Sequence, residues 1–207
     1  MIRSLLSMTA IAVLLAACGS SDDAAPQLNV TELAAGTYAV SAGDAANPTA
    51  GKYYAAADGS RLLVLNDGGQ QASSVYRRDV NGGWQATPAG ATSLELLRSN
   101  AIGSNVVTVA AVAGSYTVRL ASGAVATFSV GADGRIAAGT STCKVSGELA
   151  KTTLPDALKL TLTTAGCGDL PARSEGYLIV DGDYAPAAFR LVTGGGGVPV
   201  DLWAYAD

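Results

Sequence analysis

The chain has no histidine. That absence removes Ser-His-Asp and Cys-His nucleophilic arrangements, the histidine general base and the commonest protein ligand of catalytic zinc. Acid–base chemistry would have to rest on Asp and Glu, with Lys and Tyr as the other candidates. Charge is sparse as well: 13 basic and 17 acidic residues among 207, a formal net charge of −4. A modest acidic excess without basic runs gives nucleic-acid phosphates nothing to bind, and it offers no basic patch to anionic lipid heads. There are only two tryptophans, Trp84 and Trp203, so each is a candidate anchor for a ligand. Long apolar runs are missing too. The longest, Leu5 to Ala17, falls short of the roughly 20 residues that a membrane-spanning helix needs.

That short run has a meaning of its own. Arg3 is the only charged residue before Asp22, and the apolar stretch after it ends in Leu15-Ala16-Ala17-Cys18. A basic start, a short apolar core and a small-residue cleavage site form a secretory signal. With a cysteine directly after the small residues, the segment resembles the bacterial lipobox. The resemblance implies that residues 1–17 are a signal peptide, cut off before Cys18. It also implies that the Cys18 thiol carries diacylglycerol and that the new amino group is acylated. Two or three acyl chains hold a protein to a bilayer stably, where one alone is marginal. Gly19, rather than Asp, follows the cysteine. In enteric-type bacteria that directs lipoproteins to the outer membrane, so the expected location is the cell envelope, lipid-anchored at the outer membrane.

Processing at Cys18 would leave 190 residues and, with Arg3 gone, a formal charge of −5. This length suffices for one good core or two small ones. Residues 18–33 read as a lipidated flexible tether, with Gly19, Ser20, Ser21, Asp22, Asp23 and Pro26 among small residues. Leu28 to Ala35 is compatible with one or two helical turns.

Beyond Gly36 the signals are those of an all-β protein made of short antiparallel meander strands. Candidates are Thr37 to Val40, Lys52 to Ala57, Arg61 to Asn66, Ser73 to Asp79 and Trp84 to Thr87. Asp58-Gly59, Asp67-Gly68-Gly69 and Asn81-Gly82-Gly83 separate them, in keeping with the positive φ angles of tight hairpins. Residues 88–104 fit a strand or a short helix equally. Further on, alternation is clear: Tyr116, Val118 and Leu120; Ala126, Phe128 and Val130; Leu158, Leu160 and Leu162. Eight strands after residue 104, the last from Val200 to Tyr205, suit a small closed barrel, with a β-sandwich as the alternative. The expected organisation is therefore a small β-meander unit over 34–104 and a barrel-like domain over 105–207. The barrel reading resembles the β-barrel lobes of bacterial surface lipoproteins. Gly36 to Val40 also echoes Gly114 to Val118, and Ala57-Asp58-Gly59 echoes Ala132-Asp133-Gly134, as a duplicated β unit would.

Candidate chemistry is limited. With Cys18 lipidated, Cys143 and Cys167 remain, an even pair in an oxidising compartment. Their spacing is far from C-x-x-C and no other soft ligand is present, which favours a structural disulfide over a metal or redox pair. Asp181-Gly182-Asp183 would suit calcium or one acid of a glycosidase pair, but it lacks the remaining ligands of an EF-hand loop and reads better as a hairpin turn. Arg77 and Arg78 are adjacent on a strand and so face opposite ways. The run Gly194 to Gly197 lacks a Walker context and reads as a hairpin loop. Trp203 and Tyr184, with Trp84 and Tyr205, are the aromatics available to line a ligand mouth. No catalytic residue, metal or cofactor is assigned. The expected function is a membrane-anchored envelope lipoprotein with a non-catalytic β-domain. Its partner would be an envelope protein, a glycan or a small apolar ligand, and not nucleic acid. The alternative is a carboxylate-dependent hydrolase of glycan or cell-wall substrates.

Overall fold

The computed structural model describes residues 28–195 and 197–207. Cys18, the expected signal peptide and the first part of the expected tether lie outside the described residues. The N-terminal half contains β1 (Asn29–Val30), β2 (Gly36–Asp44), β3 (Asn47–Ala55), β4 (Arg61–Asn66), β5 (Ala72–Arg78), β6 (Gln85–Thr87), β7 (Ser93–Leu94) and β8 (Leu96–Ile102). Six of these form an antiparallel sheet in the order β6-β5-β4-β3-β2-β8, while β1 and β7 make a separate parallel pair. Turn chemistry sets the hairpins. At the β3–β4 turn Gly59 has φ +95°, and Asp58 Oδ1 accepts from the Ser60 N–H at 2.8 Å.

The middle of this sheet is buried on both faces. Tyr54, Leu62, Val64 and Val75 point to one side and Tyr53, Leu63, Leu65 and Tyr76 to the other. The second side needs an apolar cover, and the chain before β2 supplies it through Leu28, Val30 and Leu33. Residues 28–33 are thus packed rather than part of a flexible tether, and they are extended rather than helical; Val30 is only 1% exposed. Residues 93–94 and 96–102 likewise resolve as strands, because β1 offers β7 and β2 offers β8 a hydrogen-bonding edge.

The C-terminal half is a closed eight-stranded antiparallel barrel and not a sandwich. Its strands are β9 (Gly114–Arg119), β10 (Val125–Val130), β11 (Arg135–Ala138), β12 (Lys144–Ala150), β13 (Ala157–Ala165), β14 (Arg173–Ile179), β15 (Phe189–Gly195) and β16 (Val198–Ala206). Each pairs with the next, and β16 returns to pair with β9 through Ala204↔Val118. Closure removes the free edges that a single sheet would leave. The interior is filled by the protein's own side chains, with Tyr116, Phe128, Leu160, Leu178, Phe189 and Leu202 among them. Tyr116 and Phe189 meet edge to face at 4.5 Å. One polar pair sits among them: Thr193 Oγ1 donates to Ser174 Oγ at 2.8 Å, and both residues are buried. Cys143 and Cys167 form a disulfide, with Cα atoms 4.5 Å apart, and both belong to the barrel core.

The sequence echo has a structural counterpart. Gly36 and Gly114 begin β2 and β9, and two residues later Tyr38 and Tyr116 lie over them. Each tyrosine hydroxyl donates to the carbonyl four residues back, Ala34 at 3.1 Å and Val112 at 3.0 Å. The turns at Asp58-Gly59 and Asp133-Gly134 use the same aspartate-to-backbone bond. Both halves therefore begin with the same strand start and reach the same hairpin.

Sheet and barrel meet through a second apolar core. Tyr54, Ala56, Leu62, Val64 and Val75 from the sheet pack on Tyr177, Ile179 and Val192, which point outward from the barrel. Contact concentrates where β5 and β6 lie against β15 and β16. Gly194 lets β6 come close, since a Cβ there would stand 2.6 Å from Thr87 Oγ1. At the opposite end β2 is held to the barrel at its start, where Thr37 bonds Asp156, while β8 and the β2–β3 hairpin overhang.

Candidate functional site

The polar residues of the junction converge on Arg190. It points outward from β15 into the space between barrel and sheet, and it is 3% exposed. A buried guanidinium must be paired, or its desolvation is ruinous. Nε donates to Asp201 Oδ1 at 3.1 Å and Nη2 to Asp201 Oδ2 at 2.5 Å. The same Nη2 also reaches across to Asn66 Oδ1 on the sheet at 3.1 Å. The cation lies over two aromatic rings, 4.7 Å from the centroid of Tyr184 and 5.1 Å from that of Trp203. Burial acts to lower the Arg190 pKa, but the bond and charge of Asp201 more than offset it, so it lies above the ordinary value. Asp201 also accepts from the Ala72 N–H at 2.8 Å and from Trp203 Nε1 at 3.1 Å. Asn66 Nδ2 donates to the Tyr184 hydroxyl at 2.8 Å.

Trp203 and Tyr184 are therefore brought together, edge to face at 5.0 Å, but as the two walls of a cation clamp joining the halves. Each keeps some exposure and lines an open cleft of about 560 Å³ beside the clamp. That cleft also takes in Ala50, Gly51, Lys52 and Asp183. At Ala39 and Val40 it meets a second groove of about 660 Å³, which runs along the overhang past Pro48, Arg98 and Asn100. On the other side of Trp203, Tyr205 and Arg119 share a further cleft of about 650 Å³ with the Gly69–Ala72 hairpin.

The Asp181-Gly182-Asp183 cluster is a turn, as its sequence suggests. Asp181 caps a short 3₁₀ turn by accepting from the Asp183 N–H at 3.0 Å. Both carboxylates hold Lys52 of β3, at 3.1 Å from Asp181 and 2.5 Å from Asp183. Burial pulls the Lys52 pKa down, but the two hydrogen bonds and charges outweigh it, and the net shift is upward. Among the described residues, no group of three or more acidic or cysteine side chains is arranged to hold a metal ion. A third cross-link comes from Asp156, which accepts from Thr37 Oγ1 at 2.7 Å and from the Asn105 N–H at 2.7 Å.

The remaining candidates lie elsewhere. Trp84 is on the far face of the sheet, where Arg78 stacks on it at 5.3 Å and its Nε1 donates to Glu32 at 3.1 Å. Glu32 also receives Arg78 at 2.6 and 3.0 Å and Arg61 at 3.2 Å, which ties the N-terminal segment to the sheet. Arg77 instead bonds Gln85, so the two adjacent arginines do part. Arg190, Asp201, Asn66 and Lys52 were not legible as site residues. Each is a lone polar residue in a strand, and such a residue ordinarily reads as an outward, solvated position. Comparison with protein-family models, curated proteins and solved structures finds no match for this chain.

Proposed function

We propose that the chain is an exported envelope lipoprotein, anchored through Cys18, whose β body binds an envelope protein or glycan at the junction without catalysis. The observation that carries the binding reading is the continuous open groove that the overhanging sheet forms against Tyr184 and Trp203. A small apolar ligand inside the barrel is disfavoured, because that volume is occupied by the core. The hydrolase reading loses its best acid pair, since Asp181 and Asp183 both serve Lys52. The anchor reading rests on Leu15-Ala16-Ala17-Cys18. A disulfide in the barrel suits export to an oxidising compartment.

Two measurements test this. Mass spectrometry of the mature chain should find an acylated N-terminal Cys18, and Cys18→Ser should accumulate as precursor. A mature N-terminus elsewhere ends the lipoprotein reading. Capture of envelope components should fall for Trp203→Ala and Tyr184→Ala more than for Asp181→Asn or Asp183→Asn, with folding checked by circular dichroism. Glycan or peptidoglycan hydrolysis abolished by one Asp→Asn change would replace binding with catalysis.

A further inference from the structure

The two edges of the sheet are built differently. One edge, β6, is three residues long and is followed by Pro88, which has no N–H to offer. Short strands and prolines are the ordinary protection against edge-to-edge pairing. At the other edge, β8 has seven residues, and among the described residues it pairs with β2 alone. Its first part is engaged, because the Leu96 N–H donates to Thr31 Oγ1 at 3.2 Å and the register with β2 shifts there. From Arg98 to Ile102 the pairing is regular and every residue is exposed. Arg98 is the only charged residue in this free run, and Ile102 leaves an apolar side chain 39% exposed.

We propose that two copies of the chain pair antiparallel through β8, about a twofold axis at Asn100, joining their sheets edge to edge. Asn100 is the midpoint of the free run, so this register uses all five residues. It sets Asn100 opposite Asn100 of the second copy, where a side-chain amide is its own complement as donor and acceptor. Ser99 faces Ala101, a pair of small residues. Arg98 faces Ile102, and its aliphatic stem covers the exposed isoleucine. The two Arg98 charges stand four positions apart along the strand, about 14 Å, beyond the screening length at physiological salt.

Two features of the fold fit this pairing. The barrel packs on β3 to β6 and reaches β2 only through Asp156 at Thr37, so its contact with the sheet is centred on β4 and leaves β8 outside it. In the dimer seven strand-to-strand steps of about 4.8 Å separate the two β4 strands, or about 34 Å. A tilted eight-stranded barrel with its outward side chains is about 26 Å across, so two barrels stand side by side without collision. A twofold axis normal to the sheet also keeps like faces together. Both N-terminal segments then leave from the face opposite the barrels, so two lipid anchors can enter one leaflet. This last point rests on the anchored reading above; the strand complementarity does not. Confinement to a membrane raises the effective concentration, so a modest edge interface suffices there.

The test uses the full chain in phosphatidylcholine vesicles, with donor- and acceptor-labelled copies mixed at low surface density. Wild type should show energy transfer several-fold above random proximity. Asn100→Lys alone and Asn100→Asp alone should each fall to the random level, because like charges would face each other across the axis. A mixture of the two variants should restore transfer. The position is exposed, and circular dichroism should show both variants folded. Random-level transfer in wild type, undiminished transfer in Asn100→Lys, or failure of the mixture to restore it would each overturn the proposal. If mass spectrometry shows no lipid on Cys18, the same samples are compared in solution at raised concentration. The anchored reading then fails, and strand pairing is decided by the charge swap alone.

Discussion

The sheet and the barrel are both antiparallel meanders whose last strand returns to pair with the first, yet they hide their apolar side chains in different ways. In the barrel, β16 on β9 closes the ring, one face of each strand looks inward, and most of the other face meets water. In the sheet, β8 on β2 leaves β6 unjoined, and the open form is buried by sandwiching it between the barrel and the N-terminal segment. The consequence is visible residue by residue. Along β13, buried Leu158, Leu160 and Leu162 alternate with the more exposed Lys159, Thr161 and Thr163. Along β4, Leu62, Leu63, Val64 and Leu65 are all buried. Period-2 alternation reports one buried face, and a continuous apolar run reports two.

A charge scan should separate the one-faced barrel strand from the two-faced sheet strand most strongly. Leu160→Asp should unfold the barrel, while Thr161→Lys, set between Glu148 and Glu175, should be tolerated. In the sheet, both Leu62→Asp and Leu63→Asp should be severe. Truncation to alanine should cost about 2–5 kcal/mol at Leu160, Leu62 and Leu63 and under about 0.5 kcal/mol at Thr161, measured by denaturant melts. Equal damage at Leu160 and Thr161 would mean that β13 is covered on its outer face as well. Next in size is the junction. Asp201→Ala strands the buried Arg190 cation and should cost about 3–5 kcal/mol, and proteolysis should then begin between the halves. Reduction of Cys143–Cys167 should remove about 3 kcal/mol, and only from the barrel, seen as lost amide protection in residues 114–206 with the sheet retained.

The smallest effect at neutral pH concerns tyrosines, and it appears only in alkali. Burial pushes Tyr53 up to about 12, with the Glu32 charge adding to it. Burial likewise raises Tyr54, at the sheet–barrel contact, well above its ordinary value. A raised folded-state pKa gives stability that is complete below the unfolded value near 10 and is lost as pH climbs toward the folded value. Lys52 acts in the same direction, its salt bridges failing above the usual lysine range. The sheet and its seat on the barrel should therefore loosen between about pH 10 and 12. Tyrosinate absorbance should rise together with loss of the β signal. Tyrosines that titrate smoothly before any unfolding would contradict their burial.

What the sequence reveals follows from the same contrast. The barrel was legible because its strands alternate and its turns carry Asp-Gly, as at Asp133-Gly134. The disulfide was legible because setting Cys18 aside leaves the even pair Cys143 and Cys167, too far apart in sequence for a C-x-x-C site. Half of β2 and β3 was not, because Ser41 to Ala50 is a run of small and polar residues without period, and it becomes strand only by pairing along one long hairpin. The packing of residues 28–33 was hidden because the need for an apolar cover arises only once the sheet's second face exists. Trp203 and Tyr184 were visible as aromatics. Their partner Arg190 was not, since its burial depends on a sheet that begins more than a hundred residues earlier.

The Glu32 clamp also determines how the molecule bears mechanical load. A pull applied ahead of Leu28 meets β1 on β7, the Thr31–Leu96 bond and the three side chains that grip Glu32. These contacts lie on the face of the sheet opposite the barrel, so tension from that end is taken up before it reaches Arg190, Lys52 or the closed ring. The two-residue β1–β7 pair is the first of these contacts in the line of the pull.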